Sequence, residues 1–114
     1  MNKLPNANLA IITESKICDY LLSLTHNIGK YKAKYFFSLG FNKKNWLQLK
    51  KSLIKLCQNN EITNIELSPY GKKFIIEGEL ENPNKVSCNI RTVWIIENDK
   101  EIPYFVTAYP IKKN

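Results

Sequence analysis

The sequence predicts an α+β fold, in which about three N-terminal helices pack on a four-stranded antiparallel sheet. Apolar residues recur at helical spacing in the first half of the chain and alternate with polar residues in the second half. Turn signals rich in Asn, Pro and Gly divide that second half into four strands. A chain of 114 residues has the size of one domain, so residues 1–114 are expected to form a single domain.

The helices are expected to follow an extended N-terminal arm, because Pro5 disfavours helical geometry in the residue before it. Thr13 or Ser15 can cap the first helix, and Gly40 is a natural stop for the second. The third has the clearest apolar stripe, between Trp46 and Cys57, which indicates a side facing the core. The helices are predicted over residues 15–23, 30–39 and 45–59.

The last two strands are expected to form a hairpin whose register follows from its turn. In that register Thr92 lies opposite Thr107 and Trp94 lies opposite Phe105, all on one face. The hydroxyls and rings of this face, together with Tyr109, could bind a nucleotide. The alternative is ordinary sheet packing, because threonine pairs are common in strands. The four strands are predicted over residues 62–68, 74–79, 86–97 and 104–109.

The chain is basic, with 17 Lys and Arg residues against 10 Asp and Glu residues and a formal charge of +7. Such a charge attracts polyanions, which include RNA, DNA, an anionic membrane and an acidic protein. Arg91 is the only arginine, so the charge favours diffuse attraction of phosphates over many bidentate contacts. Alternatively, the charge serves solubility alone.

The sequence has no C-x-x-C pair and only one histidine, which leaves too few suitably spaced ligands for a zinc site, so neither a metal nor another cofactor is expected. The odd number of cysteines, each within an apolar pattern, indicates buried thiols in a reducing compartment. No apolar run approaches the roughly 20 residues that span a bilayer. We therefore expect a protein that acts in a cytoplasm without contacting a membrane, either where it is made or after delivery into a target cell.

The single histidine, His26, precedes a helix start that carries Lys30 and Lys32. Positive charge at a helix N-terminus opposes the helix dipole, and a docked anion would relieve that conflict. In metal-free RNA cleavage a base removes the 2′-hydroxyl proton, an acid protonates the leaving oxygen, and cations stabilise the phosphorane charge. The grouping suits this chemistry, while the simpler interpretation of His26 is a polar surface residue.

Several strings in this chain resemble a bacterial family of small domains of unknown function, and the resemblance covers nearly the whole sequence. The strings are KLPNA at residues 3–7, HxxGKxKAxxF at 26–36, LGF at 39–41, RTVW at 91–94 and FVTAYP at 105–110. A more distant likeness is to the ribonuclease fold shared by barnase, EndoU, colicin and RelE-like toxins. It rests on helices followed by a four-stranded sheet, a loop histidine and a last strand that reads VTAYP.

The distant likeness implies a metal-independent RNA-cleaving site. Carried over by position, His26 would be the general acid or base, Lys32 or Lys30 the phosphate cation, and Thr107 a hydrogen-bond donor to the phosphate. Arg91 is the next candidate cation, although the predicted register puts it on the face opposite Thr107. Either the strand bulges there or Arg91 is structural. Because Lys30 and Lys32 point about 200° apart on a helix, only one is expected to face a shared phosphate.

The leading hypothesis is a toxin-type endoribonuclease that acts on RNA, with tRNA one candidate, and is restrained by an acidic immunity or antitoxin protein. One alternative is a non-catalytic module that binds nucleic acid or takes part in a toxin–antitoxin interaction. Another is a partner of an acidic protein, for which the positive field alone suffices. The predicted site residues are His26, Lys32, Thr107 and Arg91 as catalytic, and Lys30, Thr92, Trp94 and Tyr109 as substrate-binding.

Overall fold

The structure, a computed structural model, describes residues 2–26 and 30–112; the side chains of residues 30 and 31 lie outside the described part. It has the predicted α+β order, with helices mostly N-terminal to a four-stranded antiparallel sheet. The helices are α1 (Glu14–Lys16), which continues into a π-helical turn (Ile17–Leu21), α2 (Lys30–Ser38) and α3 (Trp46–Asn59). The strands are β1 (Ile62–Ser68), β2 (Gly71–Glu79), β3 (Asn89–Glu97) and β4 (Tyr104–Ile111), in the spatial order β1-β2-β3-β4.

The helix boundaries follow local side-chain chemistry. Thr13 caps α1, because its hydroxyl accepts a hydrogen bond from the Lys16 amide at 3.3 Å. The chain leaves α2 through Gly40, whose φ of 97° is one that glycine adopts without strain. A single 3-10 turn, with Asn42 as its cap, leads into α3, so that helix begins one residue later than predicted.

The third strand also begins later than predicted, at Asn89 rather than at residue 86. The side chain of Asn82 explains the delay. It donates to the carbonyls of Leu80 and Val86 and accepts from the Val86 amide, so it holds the chain in a turn up to that point.

One face of the sheet packs on the helices and encloses the hydrophobic core. Trp94 lies at its centre with no exposed surface, and its ring meets that of Phe105 edge to face at 5.3 Å between centroids. The N-terminal arm covers the outer edge of β4, since the Ile11 amide donates to Pro103 and the Ile11 carbonyl accepts from Phe105. Among residues 2–26 and 30–112, no helix is both long and apolar enough to cross a bilayer.

Candidate active site

A bulge in β4 decides which way Thr107 points. Trp94 pairs with Phe105 as predicted, but Val93 pairs with Thr107, so β4 has one extra residue at Val106. Beyond the bulge each pairing is shifted by one from the predicted register. Alternation along β4 then puts Thr107 on the opposite side of the strand from Ala108, which is fully buried.

The carbonyl of Val106, the extra residue of the bulge, accepts a hydrogen bond from outside the sheet. Lys16 Nζ donates a hydrogen bond to Val106 O at 3.2 Å, and the same ammonium lies 5.2 Å from the centre of the Tyr20 ring. Lys16 therefore connects the first helix to the bulge and brings a positive charge beside Tyr20.

Three polar side chains meet at this edge of the sheet. Lys32 Nζ donates to Tyr20 Oη at 2.5 Å and to Thr107 Oγ1 at 2.8 Å, and the two hydroxyl oxygens are themselves 2.9 Å apart. We call Tyr20, Lys32 and Thr107 the hydroxyl–lysine triangle. All three residues are partly exposed, so a ligand can reach them.

The triangle has hydrogen-bond donors left over. An ammonium has three protons, and Lys32 uses two of them within the triangle. Of the two hydroxyl protons, one serves the bond between Tyr20 and Thr107, whichever residue donates it. Among the described residues, one ammonium proton and one hydroxyl proton therefore remain without a partner. A cation with a neighbouring hydroxyl donor is an arrangement that binds a phosphate oxygen.

Tyr20 lies within the π-helical turn. The Leu22 amide donates to the carbonyl of Ile17 at 2.8 Å, which is the wide spacing that defines this turn. Such turns occur frequently at functional sites. The ring of His26 lies against that of Tyr20, with centroids 5.0 Å apart and planes at 75°. The imidazole is thus adjacent to the triangle.

The electrostatics of the triangle favour the ionised form of Tyr20. Burial by itself would raise the pKa of the phenol, but the hydrogen bonds from Lys32 and Thr107 and the charges of Lys32 and Lys16 outweigh it. The pKa of Tyr20 is consequently lowered from its ordinary value of 10.0. An acid of lowered pKa in a partly exposed cluster is a mark of a functional site.

A second aromatic ring extends the site along β4. Lys32 Nζ lies 5.6 Å from the centre of the Tyr109 ring, and the Arg91 guanidinium carbon lies 5.8 Å from it. The bulged register places Arg91 opposite Tyr109 and on the face of Thr107. Hydrogen bonds to Tyr109 and to Glu77 raise the pKa of Arg91, so the guanidinium stays charged.

Arg91 also lines a groove of about 800 Å³ between α3 and the ends of the three strands β2, β3 and β4. Polar side chains such as Asn60 and Asn89 share that lining. The Glu77 carboxylate accepts from Arg91 Nε at 2.5 Å, so part of the positive charge is neutralised here.

The predicted site residues divide into three groups. His26, Lys32 and Thr107 come together around Tyr20, and Arg91 and Tyr109 lie next to them. Lys30 has its side chain outside the described residues. The remaining pair, Thr92 and Trp94, requires the correction that follows.

The prediction that Thr92 and Trp94 line a substrate surface is wrong as to their position, since both are fully buried. Trp94 Nε1 donates to Thr92 Oγ1, and Thr92 Oγ1 donates to the Ile76 carbonyl, each at 2.8 Å. The physical reason is that their face of β3 packs on the hydrophobic core, while the bulge in β4 moves Thr107 off that face and pairs Thr92 with Ala108.

Sequence reasoning missed Tyr20 and Lys16. In the sequence Tyr20 belongs to the apolar stripe of the first helix, which indicates a core position. The one signal available was the four-residue spacing from Lys16 to Tyr20, which places an ammonium over a ring on one helix face. Within the described ranges, no group of three His, Cys, Asp or Glu side chains could hold a metal ion.

Comparison with known proteins gives one informative structural match. The fold resembles a chain of a contact-dependent growth inhibition toxin–immunity protein complex from Klebsiella pneumoniae 342, with a TM-score of 0.69. The match covers 89% of this chain and 99% of that chain at 18% sequence identity, so it establishes similarity of fold. No curated protein matches the sequence.

A family model supplies the sequence relationship. The model described as Domain of unknown function (DUF6883) matches residues 3–112, which is nearly the whole chain and includes every part of the site. The protein therefore belongs to the DUF6883 family of domains of unknown function.

Proposed function

We propose that this protein is a metal-independent endoribonuclease of the toxin type, which cleaves RNA and leaves a 2′,3′-cyclic phosphate. The observation that carries the proposal is the contact of Lys32 with Thr107 and Tyr20, with His26 against the Tyr20 ring. These residues supply a phosphate cation, hydroxyl donors and a titratable group within one cluster. Together they are the functional groups that such a cleavage needs.

The reaction proceeds by attack of the substrate's own 2′-oxygen on the adjacent phosphorus. When RNA binds, the bond between the Tyr20 and Thr107 hydroxyls opens, and the scissile phosphate accepts protons from Lys32 and Thr107, which stabilise the negative charge that grows on its oxygens. His26 transfers a proton as general acid or base. Tyr109 and Arg91 offer a ring and a guanidinium to the nucleotides beside that phosphate.

The net charge of +7 assists at long range, because it draws a polyanion towards the site. The proposed substrate is RNA, with tRNA one candidate. The domain is proposed to act in a cytoplasm, either that of its own cell or that of a target cell into which a carrier delivers it.

An inhibitor partner belongs to the proposal. The structural neighbour comes from a toxin–immunity protein complex, which supports a toxin-type module with a cognate immunity or antitoxin protein. We propose that this partner is acidic and covers the hydroxyl–lysine triangle, because Lys16, Lys32 and Arg91 gather positive charge there. A complex of the two proteins would then be inactive until it dissociates.

The second candidate function is a non-catalytic module that binds nucleic acid or an acidic partner. The observation that favours it is the ion pair between Arg91 and Glu77, which fixes a cation on the open face of the sheet without any need for chemistry. Salt-dependent RNA binding with unchanged RNA length would support this alternative.

The test of the proposed function is incubation of the purified protein with total RNA in EDTA, beside His26→Ala, Lys32→Ala and Thr107→Ala. We expect discrete cleavage by the natural protein and a loss in each variant while the circular dichroism spectrum stays the same. RNA that remains intact across salt and pH would reject the nuclease. Full activity in all three variants would reject the site.

A further inference from the structure

We propose that Tyr20 is the general acid of this site, donating its phenolic proton to the leaving 5′-oxygen, and that His26 is the base that takes the 2′-hydroxyl proton. This assignment rests on the proposed ribonuclease function and divides the two proton transfers between two named residues. It makes a catalytic residue of a tyrosine that the sequence pattern places in the core.

The geometry of the triangle supports the role of Tyr20. Its hydroxyl accepts from Lys32 at 2.5 Å and lies 2.9 Å from Thr107 Oγ1, so it is fixed beside the two groups that hold the phosphate. The residue is partly exposed, and its hydroxyl can therefore meet an oxygen of a bound substrate. An acid must lie within hydrogen-bond reach of the atom that it protonates.

The chemistry of the two groups decides which is the acid. A phenol carries a proton that it can donate, and a neutral imidazole has a nitrogen lone pair that accepts a proton more readily than a phenol oxygen does. The reaction needs one group in each of these forms at once. Lys32 is better suited to hold the phosphate, because two of its three protons already bridge Tyr20 and Thr107.

The proton and bond changes balance without any further reactant. The bond from the 2′-oxygen to phosphorus forms while that from phosphorus to the 5′-oxygen breaks. The 2′-hydroxyl proton passes to His26, and the Tyr20 proton passes to the 5′-oxygen. The phenolate left behind is stabilised by the Lys32 ammonium, and exchange with water then restores both groups.

Groups from three elements surround Tyr20, and the two ammonium charges among them are both positive. Lys16 lies over the ring from the first helix, Lys32 donates to the hydroxyl from α2, and His26 borders the ring from the loop between them. From β4, Thr107 forms a hydrogen bond with the Tyr20 hydroxyl, and the Tyr109 ring lies 5.6 Å from Lys32 Nζ. Burial raises the pKa of Tyr20, but the hydrogen bonds from Lys32 and Thr107 and the charges of Lys32 and Lys16 outweigh it, so the pKa is lowered and the phenol is a stronger acid than it is in water.

The experiment compares two RNA substrates that differ in one atom. In the first the leaving group is the natural 5′-oxygen, and in the second it is a bridging 5′-sulfur, which departs as a thiolate without needing a proton. Initial cleavage rates are measured in EDTA for the natural protein, Tyr20→Phe and His26→Ala. Tyr70→Phe is the matched control, because Tyr70 is 77% exposed at a hairpin turn.

We expect Tyr20→Phe to lose about 10²-fold or more on the oxygen substrate, which is the usual contribution of a general acid. On the sulfur substrate its loss should fall below about threefold, while His26→Ala stays defective on both. Equal losses of Tyr20→Phe on both substrates, or no loss on the oxygen substrate, would overturn the assignment. If the natural protein cleaves neither substrate, the proposed function itself fails.

A second variant retains the hydroxyl of Tyr20 and its hydrogen bonds, so a change in its activity cannot be attributed to a folding defect. Replacement of Tyr20 by 3-fluorotyrosine lowers the pKa of the phenol with almost no change of shape. We expect the alkaline limb of the rate against pH to move to lower pH, because Tyr20 then loses its proton earlier. An alkaline limb that does not move would overturn the role of Tyr20 as the acid.

Discussion

Lys32 Nζ donates a hydrogen bond to Thr107 Oγ1 at 2.8 Å, although the two residues are 75 positions apart in the chain. The contact joins α2 to the bulged edge strand β4, and it exists only when both elements are packed. It places a cation beside a hydroxyl at the point where Tyr20 and His26 also meet. The site is therefore a product of the tertiary fold and belongs to no single motif.

The first prediction concerns the charge of Lys32. Lys32→Met keeps an apolar stem of similar length but removes the ammonium, so we expect RNA cleavage to fall by about 10²-fold to 10³-fold, as for loss of one preorganised donor. The measurement is kcat/KM on RNA, with Lys100→Met, in an exposed loop, as the control. Cleavage by Lys32→Met at the natural rate would contradict the assignment.

Thr107 and Thr92 form a matched pair on the two sides of the sheet. Thr107→Val should lower cleavage by about tenfold, the value of one hydrogen bond, while thermal stability stays nearly unchanged. Restoration of the rate by Thr107→Ser would show that the hydroxyl is what matters. Loss of stability without loss of activity would instead make Thr107 a structural residue.

The opposite pattern is expected for Thr92→Val. Removal of Thr92 Oγ1 leaves the buried Trp94 Nε1 and the Ile76 carbonyl without their bond, at a cost of about 1–3 kcal/mol for each unpaired group. Urea unfolding measures this loss, and the folded variant should cleave RNA at the natural rate. An undiminished unfolding free energy would contradict the packing described for this pair.

Arg91 and Glu77 should act on RNA affinity in opposite directions. Arg91→Gln removes a cation beside Tyr109 and is expected to weaken binding and reduce the slope of log K against log salt by about one. Glu77→Gln removes the carboxylate that neutralises Arg91 and should tighten binding. Fluorescence titration of labelled RNA at several salt concentrations tests both, and equal effects of the two variants would reject a phosphate contact by Arg91.

Cys57 gives a pH prediction that concerns stability alone. Burial raises the pKa of its thiol to about 12 from the ordinary 9.0. As the pH rises, the thiol therefore loses its proton in the unfolded chain before it does so in the folded protein. The contribution of the buried thiol to the free energy of unfolding is complete below pH 9 and declines as the pH rises towards 12. The slope for one proton is about 1.4 kcal/mol per pH unit. Urea unfolding at pH 8–11 should show a shallower decline in Cys57→Ala, and equal slopes would contradict this.

The order of helices and strands was predictable because the spacing of apolar residues changes from helical to alternating between Asn59 and Ile62. The grouping of His26, Lys32 and Thr107 came only from the distant likeness to the ribonuclease fold, and their role in catalysis stays a prediction. The expected resemblance to a family of small domains of unknown function is confirmed by the family model that matches residues 3–112.

The alternation of apolar and polar residues could not predict which side chains of the last strand point to the core. One extra residue at Val106 reverses which side chains of β4 face the core from Thr107 onward, because the side-chain period in a strand is two. That bulge depends on partners distant in sequence, such as Lys16, which binds its carbonyl. Tyr20 was missed because its ring packs against the core, as the apolar stripe indicates, while only its hydroxyl reaches Lys32 and Thr107.

The most direct test of the central claim is ³¹P NMR of an RNA digest made in EDTA, with the natural protein beside His26→Ala. The account predicts a 2′,3′-cyclic phosphate signal that grows with time for the natural protein and is lost or strongly slowed for the variant. Products that carry only 3′- or 5′-monophosphates from the outset, or equal rates for the two proteins, would contradict it.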